Sequence, residues 1–192
     1  LAKQYPKDFY LLFPLVATEK IVQVYASAGV GKTWFCLEMA SAIANGLSFL
    51  KYNPHQDGEP NPVLYVEGEM GANELQRRLQ LIQERYLNKG LKFNYKYFEI
   101  ALLKEQPDQS FESLTTPVGR QQIENTAQRI SKETGKKPFI FLDNITALTV
   151  MQEKEGADWV ELVQWMSQMR ARGFGIWYLH HGTKENTSSS GS

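Results

Sequence analysis

Five short apolar runs, separated by stretches of helical period, constrain this chain more than any other feature. They are Ile21–Tyr25, Val63–Glu67, Tyr97–Ala101, Pro138–Asp143 and Gly175–His180. Their apolar residues run on continuously, which suits strands buried on both faces, where a sheet with one wet face would alternate. After the first run, Phe35, Leu37, Met39, Ala40, Ile43 and Ala44 share most of one helical face, and Gly46 closes that helix. A second helix is expected from about Asn73 to Asn88, with Leu75, Leu79, Ile82 and Tyr86 inward. A third opens with Thr116 as cap and Pro117 as first residue, and a fourth covers Ala157–Arg172. Strand and helix in strict turn predict an α/β fold: a mostly parallel sheet with helices on both faces, in three layers. Ligands of such sheets sit beyond the strand C-termini, so residues at those ends are the candidates.

The first strand runs into "YASAGVGKTWF", close to the pattern G-x-x-x-x-G-K-[ST] of a phosphate-binding loop, with Ala26 in place of the first glycine. A triphosphate needs a compact curve of inward N–H donors, a helix N-terminus, a lysine for the outer phosphates and a hydroxyl for magnesium. Gly29 and Gly31 permit the curve, Lys32 supplies the charge and Thr33 the metal-binding hydroxyl. The nucleotide-binding stretch is Ala26, Ser27, Ala28, Gly29, Val30, Gly31, Lys32, Thr33 and Trp34, with the indole of Trp34 itself read as packing. Alanine is tolerable at position 26 if its φ stays negative.

Three more strand ends carry candidates. The second strand leads into "VEGEMGANELQRRL", where Glu67 or Glu69 is placed to activate a water. Glu69 is favoured because it follows Gly68, where the chain turns; Arg77 and Arg78 read as surface charges. Asp143 ends "FIFLD", an apolar strand of the kind that supports magnesium through water beside a phosphate loop. Asn144 either orients the site or caps the next segment. The fifth strand ends "YLHHGTK"; His180 and His181 point to opposite sides, so at most one faces a nucleotide. A zinc site is not expected, because the remaining histidine, His55, lies in a distant loop. Cys36, Trp159, Trp165, Met166 and Met169 read as packing.

Composition narrows the partners. Among 192 residues, 21 basic side chains balance 21 acidic ones, so a protein that coats duplex DNA by charge alone is disfavoured and any nucleic-acid contact must be local. The single cysteine excludes an intrachain disulfide and suits a reducing, cytoplasmic setting. The longest apolar run, Phe9–Ala17, is broken by Pro14 and is too short to span a bilayer.

Taken together, "ASAGVGKT", "VLYVEGEM…ELQRRL", "FIFLDN" and "YLHHGTK" resemble the RecA-like ATPase core of hexameric replicative helicases. The likeness is to the plasmid RepA type with its AAA-type relatives, and "EMGANELQRRL" is similar to DnaB helicases. It covers Ile21 to Lys184, with residues 1–20 as an N-terminal arm and 185–192 as a flexible serine-rich end. The resemblance implies ATP and Mg2+ as cofactors, phosphate and metal contacts from Lys32 and Thr33, metal support from Asp143 and a catalytic base at Glu69. It implies a γ-phosphate sensor at His181, or at His180. It also implies a ring, possibly of six subunits, whose channel loops, here 149–157 with Lys154 and 182–192 with Lys184, touch single-stranded DNA. The family continues past the sensor strand and supplies an arginine to the neighbouring subunit; no such arginine is identified here, and the chain is expected to be a fragment. The expected function is therefore a replicative-helicase-type ATPase of plasmid, phage or mobile-element replication. A regulatory RecA-like ATPase without DNA unwinding is the alternative. A nucleotide kinase is disfavoured, because only Arg77, Arg78 and Arg85 cluster where an arginine-rich lid would be needed.

Overall fold

The computed structural model describes residues 8–54, 58–103, 112–149 and 156–181, with the side chains of residues 156–158 and 181 outside that set. The expected channel loops, with Lys154 and Lys184, fall almost wholly outside the described residues, as does the serine-rich end.

In chain order the elements are β1 (Tyr10–Phe13), β2 (Val16–Ala17), β3 (Ile21–Ala26), α1 (Lys32–Asn45), β4 (Asn53–Pro54), β5 (Val63–Glu67) and α2 (Ala72–Leu87). They continue as β6 (Phe98–Leu102), α3 (Pro117–Thr134), β7 (Phe139–Asp143), α4 (Ile145–Thr149), α5 (Gly156–Ala171) and β8 (Ile176–His181). A five-stranded sheet in the order β3-β8-β7-β5-β6 forms the centre, and every pairing in it is parallel. All strand C-termini therefore lie along one edge.

The pleat sends alternate residues to opposite faces, and each face finds its own helices. Val63, Tyr65, Phe139, Phe141, Trp177 and Leu179 pack with Cys36, Leu37, Met39 and Ile43 of α1 and with Leu75 and Ile82 of α2. Leu64, Val66, Ile140, Leu142, Ile176 and Tyr178 pack with α3, α4 and α5. Each fully buried large side chain contributes about 1.5–3 kcal/mol relative to exposure, which is why the continuous apolar strands choose the middle layer. Trp165, Met166 and Met169 are buried as expected, while Phe35 sits at the rim, edge-on to Phe49 at 5.0 Å.

Within the stretch expected as an N-terminal arm, β1 and β2 form a small antiparallel sheet with β4, in the order β2-β1-β4. Leu11, Leu12 and Val16 join the α1 side of the core. The short helix α4 was not expected either; it begins at Ile145, with Asn144 alone between it and the end of β7.

Candidate functional site

The loop after β3 is exposed from Ser27 to Gly31. Gly29 and Gly31 hold φ of 81° and 93°, and a Cβ at either would meet nothing within 4 Å. Glycine is required there by torsion, not by space. Ala26 is the last residue of β3, paired with His181, and among the described residues only Glu19 and Leu50 are non-glycines with positive φ. Alanine therefore fits position 26 without strain.

Gly31 caps α1, with no side-chain cap and no acid in the first turn, so none of the helix's own opening residues competes for its positive end. Lys32 is 8% exposed. Its Nζ donates to the carbonyls of Ala26 at 2.6 Å and Ser27 at 2.8 Å, so the ammonium folds back over its own loop. Thr33, half-buried, is the next residue of the helix. The guanidinium of Arg78 lies 5.1 Å from the ring centre of Trp34, joining the start of α1 to α2.

Beyond β8, the parallel register sets Glu67 opposite Asp143. Both carboxylates are buried. Tyr65 Oη donates to Asp143 Oδ2 at 2.5 Å, and its ring stacks on Phe141 at 5.7 Å. Burial first, then the charge of Asp143, holds the Tyr65 phenol well above its ordinary range. Burial and then the charge of Asp143 likewise push up the thiol of Cys36, which stays neutral.

Glu67 Oε1 accepts the backbone N–H of Glu69 and of Met70, each at 2.7 Å. Its Oε2 is buried and makes no hydrogen bond among the described residues. Burial, followed by the charge of Asp143, pushes the Glu67 carboxyl up to about 7, against the lowering effect of those two N–H groups. Gly68 donates its N–H to the Asp143 carbonyl at 2.7 Å. A Cβ there would lie 2.8 Å from the Leu148 side chain, so only glycine lets the strand end pass α4.

Glu69 is exposed, and its Oε2 accepts a hydrogen bond from Asn144 Nδ2. Asn144 Oδ1 meanwhile accepts the N–H of Ala147 at 2.9 Å. Asn144 thus caps the following helix, one of the two roles weighed for it, and also meets Glu69. His180 pairs with Tyr25 in the ladder, meets its ring edge-on at 6.1 Å and brings Nδ1 within 3.5 Å of Thr146 Oγ1. The side chain of His181 lies outside the described set. Arg77 and Arg78 both bond Glu74, and those bonds, Arg77's first, hold its carboxyl down to about 2.

Sequence reasoning missed Tyr65 and the backbone role of Glu67. The signal was a tyrosine two residues before a glutamate in "VLYVE": a period of two puts both on one face, beside whatever the neighbouring strand carries there.

A parallel three-layer sheet with a Gly-Lys-Thr loop at one strand end and buried carboxylates at others defines an α/β P-loop ATPase of RecA-like build. A sequence-family profile described as an AAA domain matches residues 3–187, and the chain belongs to that family, whose members bind and hydrolyse nucleotides. No curated protein matches the chain. Among the described residues, no helix is long and apolar enough to cross a membrane.

Proposed function

We propose that this chain is the ATP-hydrolysing motor core of a ring-forming helicase that acts on single-stranded DNA during plasmid, phage or mobile-element replication. The observation that carries the proposal is the joining of Glu69 to Asn144, the residue after Asp143, across two strand ends. A water-activating glutamate and a metal-supporting aspartate on neighbouring strand ends divide that labour between them.

Residues 26–34 cradle the phosphates. Lys32 exchanges its two loop carbonyls for phosphate oxygens, and Thr33 offers its hydroxyl to magnesium. The donors fit that ion: the Thr33 hydroxyl and the Asp143 carboxylate both offer oxygen, and Asp143 is buried at the tip of β7 with Tyr65 on its Oδ2. Among the described residues no cluster of three or more His, Cys, Asp or Glu could hold a metal. Magnesium takes one or two carboxylates and completes its shell with water and phosphate. Bound magnesium supplies charge neutralisation at the phosphates. Glu69 orients and deprotonates the attacking water, Asp143 supports the metal while Tyr65 holds its other side, and His181, or His180, reports the γ-phosphate to the loop at 182–192. That loop and 149–157 contact DNA in the assembled ring.

Turnover measured with and without single-stranded DNA tests this. Stimulation by the strand, abolished in Glu69→Gln with nucleotide binding retained, is the expected result. The balanced charge of 21 basic and 21 acidic residues favours a second reading, a RecA-like regulatory ATPase that assembles with ATP alone. DNA-independent turnover with salt-insensitive assembly selects that one.

A further inference from the structure

The proposed mechanism leaves Glu67 without a task, yet Glu67 is only 2% exposed. Burying a carboxylate beside a second one is costly, and an apolar residue would fill the same space at the end of β5 more cheaply. What an apolar residue lacks is an acceptor. Between β5 and α2 the chain turns through Gly68–Gly71, and Gly71 gives α2 no side-chain cap. The two N–H groups inside this turn, those of Glu69 and Met70, both point at Glu67 Oε1 at 2.7 Å. Charge-assisted bonds of this kind are about twice as strong as neutral ones.

Glu69 is therefore tethered at two points. Its backbone is tied to Glu67, and its carboxylate to Asn144. Neither tether alone fixes the head group, because a glutamate side chain has three rotatable torsions between backbone and carboxylate. With both ends held, the carboxylate keeps one place relative to the tip of β7.

We infer that Glu67 is a positioning residue for ATP hydrolysis: its carboxylate clamps the main chain under Glu69 and so aims the Glu69 head group at the attacking water. The inference rests on the proposed role of Glu69. It assigns Glu67 no contact with nucleotide, metal or water.

The test compares Glu67→Gln, Glu67→Asp and Glu67→Ala with the unaltered chain and with Glu69→Gln at pH 8. The first readout is the split of kcat from KM for ATP; the second is residue-resolved amide exchange. Glutamine keeps an oxygen acceptor for both N–H groups and puts a donor where Oε2 sits, so kcat should stay within ~2-fold. Aspartate keeps the charge but loses the reach. It and alanine should lower kcat by ~10–100-fold with KM within ~2-fold, the scale of a small misplacement of a catalytic group. The amides of Glu69 and Met70 should exchange ~10-fold faster in Glu67→Asp and Glu67→Ala, and only ~2–3-fold faster in Glu67→Gln, whose neutral oxygen still accepts both N–H groups but more weakly.

A fall in Glu67→Gln as deep as in Glu67→Asp overturns the inference, because the charge and not the clamp would then matter. Unchanged amide exchange in Glu67→Asp overturns it too. Full turnover in Glu69→Gln sinks the proposed function instead, and with it the catalytic use of the clamp. The exchange pattern would then report a loop tether and nothing more. Should Glu67→Ala fail to fold, the glutamine–aspartate pair carries the comparison.

Discussion

Replacing Glu67 by glutamine should change how the stability of this protein depends on pH. In the unfolded chain the carboxyl titrates at its ordinary value of 4.5, while in the fold it titrates at about 7. Below the lower value both states hold the proton, and above the higher value neither does. Between them the folded state binds the proton and the unfolded state does not, so stability falls as pH rises through this window. At about 1.4 kcal/mol per pH unit, the whole interval amounts to about 3 kcal/mol. Urea unfolding at pH 5, 6, 7 and 8 measures it, each pH giving a midpoint and slope. The unaltered chain should lose stability along this series relative to Glu67→Gln, which is neutral throughout and nearly isosteric. The difference between the two proteins should grow steadily and level off near pH 8. Parallel curves would refute the reasoning, since they would mean that Glu67 titrates alike in both states and that Asp143 and burial do not act on it.

Tyr65→Phe removes the phenol that holds Asp143 Oδ2; it should cost about 1.5–3 kcal/mol by urea unfolding, as loss of a buried bond to a charged group does. Gly68→Ala drives a methyl group against Leu148 and should cost about 1–3 kcal/mol. The double variant with Leu148→Ala should relieve that clash, so that the two losses combine to less than their sum. Ala26→Gly restores the missing glycine of the loop pattern, and because Ala26 already sits at the end of a regular strand it should leave ATP turnover within ~2-fold while lowering stability by about 0.5–1 kcal/mol.

The middle strands were legible in the sequence because helices cover them on both sides, and that burial demands unbroken apolar runs such as "VLYVE" and "FIFLD"; the edge strand β3, expected to be buried too, instead exposes Gln23 and Tyr25. The loop was legible because glycine, lysine and threonine each answer a separate chemical need of a phosphate. The pairing of Glu67 with Asp143 was not. It depends on which strands become neighbours and in what register, and no local pattern in either run encodes that. Asn144 shows the same limit from the other side: one position served two purposes, and only the fold brings Glu69 across to its amide. The small sheet built by β1, β2 and β4 escaped notice because two of its strands have only two residues each, too few for any periodicity.

The order of the central sheet has a mechanical consequence. The strand that carries the lysine loop and the strand that carries Asp143 never touch, because β8 lies between them. With strands spaced about 4.8 Å apart, that leaves roughly 10 Å from one to the other, the span that a guest held by both would have to bridge. Among the described residues the loop strand is fastened along one flank only, by its ladder to β8. A guest gripped by the loop therefore bears on a strand laddered along one flank, whereas β7 and β5, which carry the acids, are laddered along both.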